Sequence, residues 1–121
     1  MVSFLVDTGS LFSAITEKEA TFMNLDCSLL PESKGEAIGF GGTFKTKMIN
    51  RLVTLTFKSD DGEYKIQYSS GFRVVCFPQH IPSEQREKLL RFTPSVLGMD
   101  ILSKFEVRVN NKKVELLLVK D

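Results

Sequence analysis

The sequence predicts one mainly β domain carrying one to three short helices, and three observations predict it. Apolar runs of strand length recur along the chain, at residues 4–6, 52–57, 72–77 and 94–97, each bounded by turn-forming residues. Two stretches, Ser59-Asp60-Asp61-Gly62 and Asn110-Asn111-Lys112-Lys113, have the composition of hairpin turns and are flanked by such runs. Gly39, Gly41 and Gly42 cluster between two strand-like segments, which makes a poor strand but a good hairpin tip. A length of 121 residues with 42% apolar content suffices for one compact core.

In chain order, Phe4, Leu5 and Val6 form a short buried strand that delivers Asp7 into a tight loop, Asp7-Thr8-Gly9-Ser10. Residues 11–15 continue as strand. Thr16-Glu17-Lys18-Glu19 then reads as a helix start, with Thr16 as N-cap and Glu19 completing a capping box. This helix ends near Met23 or Asn24; Ala20 and Met23 face the core, and Glu17 and Lys18 form a solvated face. Residues 26–35 read as an irregular link containing Pro31, Ser33 and Gly35. Beyond the glycine tip, strands are expected at 44–48 and 52–57, with Lys45, Lys47 and Arg51 on an exposed face that favours solubility. A hairpin partner follows at 64–69 and an apolar strand at 72–77. Residues 83–92 form a short surface helix with acids near its start, broken by Pro94. Residues 94–97 are a buried strand, Gly98 a close-packing or turn position, and 100–104 a short helix that Asp100 caps or packs. The tail, 105–109 and 114–119, is a hairpin.

The totals exclude several functions. Sixteen basic and fifteen acidic residues nearly cancel, so nothing points to nucleic acid or a membrane surface as partner. No apolar run is long enough to span a bilayer and the first ten residues are no leader, which makes a soluble, cytoplasmic protein the default. Cys27, Cys76 and His80 cannot assemble a four-ligand zinc site of the usual kind, and the cysteines read as ordinary half-buried thiols. His80 sits in a Pro-bounded loop with no nucleophile signature nearby and reads as a surface residue. Gly39-Phe40-Gly41-Gly42 lacks the lysine and hydroxyl of a phosphate-binding loop.

The chemistry is concentrated at Asp7. A carboxylate after three apolar residues needs donors or a partner, because burying it alone is costly. Thr8 and Ser10 supply hydroxyls, and Gly9 allows a close approach that a side chain would block. Two readings remain open on these residues alone: an active-site acid, or an Asx turn closing a strand. A given tripeptide such as Asp-Thr-Gly arises by chance in roughly one or two of every hundred chains of this length, so its weight depends on its companions.

Those companions exist. Asp7-Thr8-Gly9-Ser10, with Ser13, Ala14 and Ile15 behind it, resembles the signature of the retropepsin-like aspartic proteases. Val96-Leu97-Gly98-Met99-Asp100-Ile101-Leu102 is similar to that family's apolar-apolar-glycine element, and residues 35–42 to its glycine-rich flap. The three motifs stand in the family's order and cover most of the chain. The resemblance implies a small closed barrel-like acid-protease fold and an aspartic endopeptidase that needs no metal or organic cofactor. Only one Asp-Thr-Gly loop is present, so the second acid must come from a homodimer, with peptide or protein as substrate. Asp7 would be catalytic, with Thr8, Gly9 and Ser10 supporting the loop. More finely, Thr8 would bridge the dimer, Gly9 would let its amide approach the carboxylate, and Ser10 would bond the outer carboxylate oxygen. Ile38, Gly39, Phe40, Gly41 and Gly42 would form the flap over an extended peptide, while Leu97 and Gly98 would be structural. Apolar residues around the flap suggest apolar subsites. Family members carry an additional strand or two ahead of the catalytic strand, whereas only residues 1–3 precede Phe4 here. Either this is a trimmed domain, or the strand at 114–119 takes the vacant place. The competing reading is a non-catalytic retropepsin-like module that dimerises or binds peptides.

Overall fold

The computed structural model describes residues 2–39, 42–68, 72–78, 80–111 and 113–118. Phe40 and Gly41 of the expected flap tip lie outside the described residues, as do Ser69, Gln79, Lys112 and Val119. Among the described residues the chain is mainly β, with three short α-helices. The strands β1 (Phe4–Val6), β2 (Ala14–Thr16), β3 (Glu32–Gly39) and β4 (Gly42–Ile49) come first, with α1 (Glu17–Phe22) directly after β2. They are followed by β5 (Val53–Ser59), β6 (Gly62–Tyr68), β7 (Phe72–Cys76) and α2 (Ser83–Phe92). Last come β8 (Ser95–Leu97), α3 (Met99–Leu102), β9 (Phe105–Val109) and β10 (Val114–Leu118). No helix of the described residues is long and apolar enough to cross a membrane.

Among the described residues, a six-stranded sheet ordered β1-β8-β2-β7-β4-β3 carries the acid loop. β8 inserts between β1 and β2: Phe4, Leu5 and Val6 pair in parallel with Ser95, Val96 and Leu97, and Ala14 pairs antiparallel with Val96. The segment joining β1 to β2, which holds Asp7, must therefore arch over the end of β8. β7 runs parallel to β2, and β4 antiparallel to β7. Alternation sends Phe72, Val74 and Cys76 of β7 into the core with Ile15, Ile49 and Leu97. Ile101 and Leu102 of α3 close that core. The hairpins β5–β6 and β9–β10 pack through aromatic edges, with Phe57 and Tyr64 at 5.5 and 5.6 Å from the Phe105 ring. At the turn, Gly62 has φ 139°, a conformation that side chains resist.

The two hairpins, α2, β8 and the segment 72–76 lie where the sequence puts them, but several local expectations fail. Residues 11–13 are loop, and β2 starts only at Ala14. Thr16 occupies the N-cap position of α1 without a side-chain cap bond, its N–H instead donating to Ser95 Oγ at 3.2 Å. Met23 is 45% exposed. The supposed irregular link 26–35 contains a 3₁₀ turn, Cys27–Leu29, and then the start of β3. Asp26 caps that turn by accepting from the N–H and hydroxyl of Ser28, which hold its carboxylate below the usual range. Lys47, expected on a solvent face, is half-buried and donates its ammonium to the Cys27 carbonyl. β10 pairs with β9, so the C-terminal strand does not take the place beside β1.

Two corrections involve contacts distant in sequence. Cys27 and Cys76 are not thiols: they form a disulfide between the 3₁₀ turn and β7, with Cα atoms 6.1 Å apart and a sequence separation of 49. Glu17 is buried, because α2 brings Arg86 onto it; Arg86 also donates to the carbonyls of Phe77 and Pro78 at 3.3 and 3.4 Å. Removing one member strands the other in partial burial. Glu17→Ala is expected to cost about 2 kcal/mol of stability in urea unfolding, below the fully buried case because Arg86 keeps some solvent contact.

Candidate active site

Asp7 follows β1 directly, and its N–H donates to the Leu97 carbonyl at 3.0 Å, continuing the β1–β8 ladder to the carboxylate itself. The chain then turns sharply: Ser10 N–H donates to the Asp7 carbonyl at 3.2 Å, and Gly9 N–H to Asp7 Oδ1 at 2.9 Å. An amide aimed at a carboxylate oxygen fixes the side chain's rotamer. A Cβ on Gly9 would stand 3.2 Å from that oxygen, closer than comfortable contact. Asp7 is half-buried while Thr8 and Gly9 are exposed, so the carboxylate is held from behind and open in front.

Ser10 differs from the role its position suggested. Its hydroxyl donates to the Phe12 carbonyl at 2.8 Å rather than to the carboxylate, because the turn has already reversed the chain. It braces the far limb of the loop.

The floor is built by the chain around Gly98. Met99 N–H donates to the Ser10 carbonyl at 2.8 Å and Asp100 N–H to the Leu11 carbonyl at 3.1 Å. Ser13 accepts from Gly98 N–H at 2.8 Å and donates to Asp100 Oδ1 at 2.6 Å, and that oxygen also accepts from Ile101 N–H at 2.9 Å. Asp100 is thus bound to the loop's end and to its own helix. Gly98 is required for room: a Cβ there would lie 2.5 Å from the Phe12 carbonyl oxygen and 2.8 Å from that of Ser10. Those obstacles are backbone held by the bonds just described. Gly98→Ala is expected to cost about 1–3 kcal/mol in chemical unfolding. It should also raise hydrogen exchange at Met99 and Asp100, whose bonds must lengthen to admit the methyl group.

The structure therefore brings Asp7, Thr8, Gly9, Ser10, Leu97 and Gly98 into one cluster. Ile38, Gly39 and Gly42 belong elsewhere on the sheet, at the tip end of the β3–β4 hairpin, where Ile38 pairs with Thr43 and Gly39 with Gly42. β8, β2 and β7 lie between β1 and that hairpin. His80 is exposed. Among the described residues there is no group of three or more His, Cys, Asp or Glu that could hold a metal. Ser13, part of the signature behind the acid loop, joins loop to floor, a role with no local signal because its partners are 85 and 87 residues away.

No family model matches the sequence, and comparison with curated proteins finds no match. Among solved structures, the chain is similar to the crystal structure of a retropepsin-like aspartic protease from Rickettsia conorii. The likeness has a TM-score of 0.57 and 21% identity, and covers 96% of this chain and 79% of that one. A likeness at this identity establishes the fold, which is retropepsin-like.

Proposed function

We propose that this retropepsin-like fold is an aspartic endopeptidase that works as a homodimer, one Asp-Thr-Gly loop from each copy. The observation that carries the reading is the bond from Gly9 N–H to Asp7 Oδ1, which holds one carboxylate at the mouth of a loop otherwise fastened to β8. Hydrolysis needs two such acids around one water, because a carboxylate and a carboxylic acid must act together. One Asp7 in its ionised form takes a proton from the water as it attacks the peptide carbonyl. The other, protonated, donates to the carbonyl oxygen; the proton taken from water then passes to the leaving nitrogen, and as the C–N bond breaks the hydroxyl formed from the carbonyl returns its proton to the second Asp7. Two like charges so close do not both ionise, so the pair shares a proton and titrates as a unit.

The second copy is required by this stoichiometry. Thr8, exposed beside Asp7, would support the partner loop across the two-fold axis. The β3–β4 hairpin would close over an extended peptide as the flap.

The test is cleavage of an unbiased peptide library from acidic to neutral pH at several protein concentrations. Rates that rise more than linearly with concentration at low concentration, with a bell-shaped pH profile, are expected. A monomer that binds peptides but cuts none at any pH would instead identify a non-catalytic binding module.

A further inference from the structure

Strand pairing sets Leu5, Val96, Ala14, Arg73 and Met48 in one row across β1, β8, β2, β7 and β4. Alternation along β1 and its continuation puts Asp7, two residues after Leu5, on the same face. The opposite face is core, where Phe72, Val74 and Cys76 are buried. Leu5 is exposed and the other four are half-buried, so the row is accessible. The row is apolar except at one point, Arg73.

The guanidinium of Arg73 lies 3.7 Å from the centroid of the Phe12 ring, a contact distance for stacked planes. Phe12 belongs to the acid loop and is 49% exposed, so the stack stands at the surface beside Asp7's own segment. A ring quadrupole orients a cation without neutralising it, and a stacked guanidinium keeps its in-plane N–H groups available for a planar anion. Among the described residues the ion pairs are Arg86 with Glu17, Arg108 with Glu106, and Lys113 with Glu115; Arg73 belongs to none of them.

We infer that Arg73 is a specificity-determining residue that takes a carboxylate side chain, Asp or Glu, of a peptide bound on the face that carries Asp7. The inference rests on the proposed peptide-cleaving site for its substrate class, and on the sheet register for its position. Strands lie about 4.8 Å apart, so Arg73 is about 14 Å across the sheet from Leu5; allowing for side-chain reach, the acid lies roughly two to four residues from the bond cut. The apolar row between them takes the intervening side chains.

The experiment measures two things on paired peptides that differ only by Glu or Gln at each position in turn. Cleavage by the unaltered protein gives kcat/KM, and binding to the Asp7→Asn variant gives Kd without turnover. At one position Glu is expected to exceed Gln by about tenfold in both, the worth of a charge-assisted bond at a partly exposed site. Arg73→Met should bring that ratio to about one, and Arg73→Lys should retain part of it. Because each ratio is internal to one variant, a smaller folded fraction does not alter it. Cleavage without a Glu preference at any position overturns the inference and leaves the protease reading standing. A Glu preference in binding that Arg73→Met removes, with no cleavage, upholds the inference and overturns the protease reading. A preference that survives Arg73→Met, or no peptide bound or cut, overturns the inference.

Discussion

Asp7→Asn is expected to lower kcat by about a thousandfold or more while leaving the fold and peptide affinity nearly unchanged, since general acid–base groups contribute on this scale. The reason lies in what the amide keeps and what it loses. An Asn side-chain oxygen still accepts from Gly9 N–H, so the turn bonded at 2.9 Å survives. What disappears is the capacity to exchange a proton with water or a leaving group, which an amide lacks near neutral pH. The measurement is a paired one: single-turnover cleavage for the chemical step, and Kd for a slowly cut peptide together with the urea midpoint for everything else. A fall in rate alone makes Asp7 catalytic. Equal losses in rate, affinity and midpoint would make it a structural Asx residue and defeat the protease reading.

Breaking the Cys27–Cys76 bridge is expected to remove a large part of the stability. A cross-link closing a loop of 49 residues restrains the unfolded chain by about 4 kcal/mol on the chain-entropy account, and losses of about 2–4 kcal/mol are typical. The bond ties the turn ahead of β3 to β7, the strand that holds both β2 and β4. Its loss should therefore loosen the base of the β3–β4 hairpin before it disturbs β1 and β8. Cys27→Ser with Cys76→Ser, or dithiothreitol, should lower the urea midpoint, with hydrogen exchange rising first in β4 and β7. Two thiols that alkylate readily in the native, unreduced protein would contradict the pairing. Thiol trapping in intact cells reports whether the bridge is closed there.

The legibility of this chain follows the range of its contacts. Elements governed by local chemistry are readable: the turn Ser59-Asp60-Asp61-Gly62 with φ 139° at Gly62, the helix Ser83–Phe92 ahead of Pro94, and the strand before Asp7, although Leu5 in that strand is exposed and not buried as expected. Gly98 could be marked as a close-packing position, yet what it packs against, the carbonyls of Ser10 and Phe12, belongs to the other end of the chain. The misreadings share one cause. Glu17 looked solvated because nothing near it in sequence announces Arg86, and Cys27 looked free because Cys76 reaches it only when β7 is in place. The family resemblance gives the Ser10 hydroxyl to the carboxylate, whereas the loop geometry gives it to the Phe12 carbonyl. Propensity and pattern report neighbours in sequence, and this site is assembled from neighbours in space.

The insertion of β8 between β1 and β2 also fixes when the acid loop can exist during synthesis. Its fastenings, Leu97 to Asp7, Gly98 to Ser13 and Asp100 to Ser13, join parts of the chain 85 to 90 residues apart. Contacts so distant form late and slowly, because most of the chain must be ordered before they can close. A growing polypeptide that has already released Asp7 from the ribosome has no β8 to hold it and no floor under its loop. The proposed activity is thereby withheld until translation has passed Asp100, and a nascent or prematurely ended chain carries the acid without the means to use it.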